Sequence, residues 1–237
     1  MNREQLIEKF QLAEERIKTE ITRVKKLSNS KQQKELMAIL KKQLEDLQKA
    51  INEWLQTEVK NQFIASTQIV DETIKLKNPD IKLSSTAGAN KTVINALIAE
   101  NAGRFTESII YVNKALNSMI AEARKDYTML NVQSNINRPT MTQVLKNALV
   151  DKGVKAIKTS NGREINLTAY SKMATQTTLK IAMNRGIIEQ CKERGVDLVR
   201  MSEHFPTCSI CMPLQGRVYS ISGKNKDFPP LSMALKG

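Results

Sequence analysis

Residues 36–59 read LMAILKKQLEDLQKAINEWLQTEV, and Leu36, Leu40, Leu44, Leu47, Ile51, Leu55 and Val59 recur in it at steps of three and four. That period puts the apolar residues on one side of an α-helix and leaves Lys, Glu, Asp and Gln for the other. The helix runs on to Asn78-Pro79, where proline forbids continuation. Upstream, Leu6, Phe10, Ala13, Ile17, Ile21, Val24 and Leu27 keep the same rhythm and predict an amphipathic helix over residues 3–27, broken by Ser28-Asn29-Ser30. Two such helices joined by a short polar turn should pack antiparallel as a hairpin. Their stripes suit either of two arrangements: a self-contained helical pair, or an extended arm that docks on another subunit.

Composition agrees with a helical chain. Of 237 residues only 4% are aromatic and 9 are glycine, a balance that favours helices over a sandwich or barrel. Residues 80–90, rich in Ser, Ala, Gly and Asn, predict a linker. A third helix follows, outlined by Val93, Leu97, Ile98, Phe105, Ile109, Val112, Leu116, Met119, Ile120 and Ala123, with Gly103 expected to kink it. The polar run Asn131 to Pro139 predicts a domain boundary, giving a helical N-terminal region, 1–137, and a small α+β module, 138–237.

Within that module, Thr140 caps a short helix that stops at Gly153. Val154–Thr159 and Arg163–Leu167 flank Ser160-Asn161-Gly162, the chemistry of a tight β-hairpin turn. Thr168 or Ser171 then opens a long helix ending at Gly195, with Met173, Ile181, Ile187 or Ile188 and Cys191 expected inward. Val196–Met201 and Gln215–Ile221 read as strands. The fold class is therefore α+β and predominantly helical.

The net charge is +13, and residues 138–237 hold 16 Lys/Arg against 7 Asp/Glu. A surplus of this kind suits nucleic-acid phosphates, an acidic partner or simple solubility, and Arg185, Lys192, Arg194, Arg200 and Arg217 are the candidate phosphate contacts. A solvated charged face is the competing reading. No apolar run reaches the ~20 residues of a membrane span, and Met-Asn-Arg-Glu-Gln has no apolar signal core, so neither a membrane protein nor secretion by a signal peptide is expected. Trp54 is expected to be a packing anchor.

Between the two C-terminal strands lies His204-Phe205-Pro206-Thr207-Cys208-Ser209-Ile210-Cys211. A Cys-x2-Cys knuckle with a histidine four residues upstream offers three zinc ligands, and a structural site needs four. Residues 212–237 add only Asp227, while Cys191 in the preceding helix is expected to pack as a small apolar residue. Two readings stand side by side: a zinc site on His204, Cys208 and Cys211, or reduced surface thiols beside a hydrogen-bonded histidine. A zinc deaminase is excluded, because its signature needs a glutamate two residues after the histidine, where this chain has Pro206. With one histidine and no phosphate loop or nucleophile elbow, no enzyme is expected.

Taken in order, Met173-Ala174-Thr175-Gln176-Thr177-Thr178, Arg194-Gly195-Val196-Asp197, the His204, Cys208 and Cys211 cluster, and Gln215-Gly216-Arg217-Val218-Tyr219-Ser220-Ile221-Ser222-Gly223 resemble the phage minor capsid protein 2 family, related to the MuF-type minor head proteins. The resemblance covers about residues 140–237. It implies a structural protein of a tailed-phage virion, present in several copies inside the head near the portal, contacting portal and other head proteins and the packaged double-stranded DNA, with a role in head assembly or genome delivery. Family members continue into a His-Pro-x-Cys-Arg type segment that these residues lack, so the natural chain is expected to run on, with the closing metal ligand in doubt. Alternatives from other classes are a zinc-dependent nucleic-acid-binding module and a nuclease or toxin-like effector.

Overall fold

The computed structural model describes residues 1–23, 30–85, 87–133, 157–158 and 164–235. Its elements are α1 (Arg3–Arg23), α2 (Ser30–Trp54), a π-helical turn (Leu55–Val59), α3 (Lys60–Lys77), α4 (Ala87–Gln133), β1 (Ile157–Lys158), β2 (Glu164–Ile165), α5 (Leu167–Glu193), β3 (Leu198–Arg200), a 3-10 turn (Met212–Leu214), β4 (Val218–Ser220) and α6 (Leu231–Ala234). The fold is α+β and predominantly helical. The expected break at 28–30, the short helix at Thr140–Gly153 and the turn at Ser160–Gly162 fall wholly or largely outside the described residues.

The chain gathers into two compact units, one of Met1–Asn61 with Asn95–Lys180 and one of Gln62–Ile94 with Ile181–Gly237. Each unit takes residues from both sides of the boundary expected at residue 138, and that position itself is not described.

In the first unit, α1 and α2 pack against each other. Thr57 Oγ1 donates to Met1 O at 3.3 Å and Arg16 Nη1 to Gln43 Oε1 at 3.3 Å, so residue numbers rise along one helix as they fall along the other, and the pair is antiparallel. Leu6, Phe10, Ala13, Ile17 and Ile21 are buried, as are Leu36, Leu40, Leu44, Leu47, Ile51 and Leu55. The described residues of both stripes are thus buried within the unit. Trp54 is fully buried and meets Phe105 edge-on at 6.1 Å, and Phe105 meets Tyr170 at 6.0 Å. Burial pushes the Tyr170 phenol up, and Ser108 donates to its oxygen at 2.6 Å. The helix α4 starts at Ala87, earlier than the linker over 80–90 allowed. It also runs through Gly103 without a break, since one glycine costs only about 1 kcal/mol against alanine and Leu97, Ile98, Phe105, Val112 and Leu116 keep their burial.

The hairpin is confirmed by antiparallel pairing of Ile157 with Ile165 and Lys158 with Glu164. Asn166 caps the next helix, its Oδ1 accepting the Ala169 N–H at 2.7 Å. The buried Glu14 carboxylate adds to this start, accepting the Thr168 N–H at 3.1 Å and hydroxyl at 2.7 Å. Along α5 the buried positions are Leu167 at its start, then Ser171, Thr175, Thr178, Ala182, Gly186 and Gln190, with Cys191. This corrects the expected inward set: Met173 is exposed, and Ile181, Ile187 and Ile188 are half-buried. The reason is close approach. In the second unit, a Cβ built on Gly186 would collide with Ser66 Oγ and lie 2.7 Å from the Phe63 carbonyl oxygen, so the backbones of α5 and α3 meet where large side chains have no room.

Candidate functional site

At the end of α5, Val196 N–H donates to Cys191 O at 2.8 Å and Gly195 N–H to Lys192 O at 3.1 Å, with Gly195 at φ +69. This paired closure needs the left-handed conformation that glycine adopts without strain. The chain then enters β3, which pairs antiparallel with β4: Leu198 with Ser220, Val199 with Tyr219, Arg200 with Val218. Asp197 secures the junction. Its carboxylate accepts the Ser220 hydroxyl at 2.7 Å and the Ser222 N–H at 2.7 Å, and those bonds, the Ser222 N–H first, hold it below the usual carboxylate range.

Loop 201–217 hangs from this ladder and is pinned from within. Met201 N–H donates to Arg217 O and Gly216 N–H to Met201 O, both at 3.0 Å. Gly216 has φ +70, and the Glu203 carboxylate occupies the place where a Cβ would stand. His204 N–H donates to Gln215 Oε1 at 2.6 Å, and Gln215 Nε2 donates to Thr207 Oγ1, so Gln215 ties both arms of the loop. Met212 N–H to Cys208 O and Leu214 N–H to Cys211 O, each 3.0 Å, wind the knuckle into a turn that Tyr219 clasps through its hydroxyl, 3.0 Å from Leu214 O.

That turn brings Cys208 and Cys211 within hydrogen-bonding reach of each other, and both are exposed. The Cys211 N–H, helped by the Cys211 thiol and the Ile210 N–H, holds Cys208 below an ordinary thiol, while donation to Cys208 raises Cys211. His204 takes no part: its Nε2 lies 2.8 Å from Ser202 Oγ. Among the described residues no three His, Cys, Asp or Glu side chains gather to hold a metal ion, so neither His204 nor Asp227 completes the set. Cys191 is buried, its thiol raised by burial, in keeping with a packing role. Two thiolates are half of the four ligands that a structural zinc site requires.

The five candidate phosphate contacts divide into three exposed arginines and two cations paired with carboxylates. Arg185, Arg200 and Arg217 are exposed, although Arg200 Nε donates to Gly216 O at 2.9 Å. Lys192 pairs with Glu189 at 2.9 Å, and the Arg194 guanidinium is bound by Asp71. Asp71 and its second partner Gln190 carried no local signal in the sequence, because they lie 119 residues apart.

Of the motifs singled out by resemblance, Asp197, Gln215, Gly216, Tyr219 and Ser220 build this ladder and loop, while Met173–Thr178 lies on α5. A family model described as Phage minor capsid protein 2 matches residues 4–229. The chain belongs to the phage minor capsid protein 2 family. The match reaches well beyond the expected 140–237 and takes in all the N-terminal helices, so in this minor capsid protein the helical region is part of the family's architecture. A search of curated proteins and a search of solved structures found no match. No helix among the described residues is long and apolar enough to cross a membrane.

Proposed function

We propose that this minor capsid protein acts by binding rather than catalysis, inside the head beside the portal, and that loop 201–217 is its attachment to the portal protein. One observation carries the reading: Phe205 is 91% exposed, Ile210 67% and Met212 60%, on a loop whose backbone is held by five hydrogen bonds between its own arms and turns. Large apolar side chains displayed on a pre-ordered loop lose little freedom on docking and gain about 25 cal/mol for each square ångström of apolar area buried. Membership of a capsid family supplies the partner class, and the main apolar stripes of α1 and α2 pack within their own unit. The test is a Phe205→Ser, Ile210→Ser double variant supplied to phage lacking the wild-type gene. Loss from assembled heads, with unchanged circular dichroism of the purified chain, supports the reading, whereas normal incorporation sinks it.

Contact with packaged DNA, in assembly or genome delivery, is a second reading that rests on charge. Residues 138–163 hold six Lys/Arg against one Asp, and Arg185, Arg200 and Arg217 present further exposed cations. Binding to duplex DNA should be sequence-independent, with log affinity falling against log salt at about −0.9 for each phosphate neutralised. Binding that salt leaves unchanged, or none at low salt, removes DNA from the partners.

A further inference from the structure

The knuckle is short of ligands for a metal, yet it meets the requirements of another chemistry. Cys208 and Cys211 sit at the two ends of one turn closed by Met212 N–H to Cys208 O at 3.0 Å, with their sulfurs within hydrogen-bonding reach, both exposed to a dissolved reagent. Cys191 is buried on α5 and offers no competing thiol at the surface. We propose that Cys208 and Cys211 are a dithiol site that takes a small-molecule disulfide as oxidant and closes reversibly to an intramolecular disulfide.

The exchange balances in two displacements. One protein thiolate attacks a sulfur of the oxidant, whose S–S bond breaks and releases one thiol; the other then attacks the mixed disulfide, forms the Cys208 Sγ–Cys211 Sγ bond and releases the second thiol. Two electrons pass to the oxidant, and the two protein thiol protons end on the released thiols. The chain is made in a reducing cytoplasm and belongs to a particle that leaves it, so the closed form suits the virion and the open form assembly. Closure would freeze the turn that displays Ile210 and Met212.

The test exposes the full chain to graded mixtures of oxidised and reduced glutathione, then alkylates and measures masses. The Cys208–Cys211 peptide should lose two hydrogens and regain them with dithiothreitol, while Cys191 becomes alkylable only after denaturation. Cys208→Ser should instead trap a stable glutathione adduct on Cys211. Glutathione held on both knuckle cysteines of the wild type, without closure, overturns the proposal. So does zinc retained at one per chain through gel filtration with both thiols blocked to the oxidant.

Discussion

Arg194 donates from Nε to Oδ1 and from Nη2 to Oδ2 of Asp71, both at 2.7 Å, although 123 residues separate them in sequence. Gln190 shares Oδ1 at 2.7 Å. The fork joins the last turn of α5 to α3 just before β3 begins, so the ladder that carries the knuckle starts from an anchored point. Only 8% of the Arg194 side chain is exposed, which makes an unpaired guanidinium there expensive.

Asp71→Asn keeps the shape and removes the charge, and should cost about 1–3 kcal/mol at neutral pH. The Arg194 guanidinium holds the Asp71 carboxyl below its ordinary value, so this contribution is present above the unfolded-state value near pH 4 and is lost as pH falls through the lower folded value. Urea unfolding of the wild type should therefore lose stability on acidification more steeply than Asp71→Asn. Parallel pH profiles would refute the pairing.

Gly186→Ala tests the close approach of α5 to α3. The added methyl meets Ser66 Oγ and stands 2.7 Å from the Phe63 carbonyl, so the helices must separate, at about 1–3 kcal/mol. Removing the hydroxyl with Ser66→Ala should recover part of that loss and not all, because the Phe63 oxygen is backbone. An alanine at residue 186 that leaves thermal unfolding unchanged refutes the tight contact.

These two sites also show how far the sequence could be read. The stripes of α1 and α2, the pairing of β1 with β2, the strand character of β3 and β4, and the stop at Gly195 follow from local periodicity and turn chemistry, while the pairing of β3 with β4 across the loop does not. The inner face of α5 was misjudged because hydrophobic period looks for large apolar residues, and this face is built from Ser171, Thr175, Thr178, Ala182 and Gly186. Small residues recurring at three and four were the available signal. The Asp71–Arg194 fork depends on tertiary placement, which spacing does not encode, whereas Ser202, which engages His204, lies only two residues before it.

Deletion of residues 1–77 asks whether the N-terminal helices are a separable arm. In the first unit it strips Trp54 from Phe105, Gln48 from Thr106 and Glu14 from Thr168. In the second it removes Asp71 from Arg194 and the Phe63–Ser66 surface from Gly186. The buried face of α5 would then meet water with its Thr and Ser side chains and no compensating apolar area, so the remaining chain should lack a cooperative urea transition and be cleaved rapidly in limited proteolysis. Loss of the truncated chain from heads would consequently reflect unfolding and say nothing about attachment. A sharp transition, with a slope in proportion to the residues retained, would show instead that the C-terminal residues fold alone and would restore the arm as the element to test for portal binding.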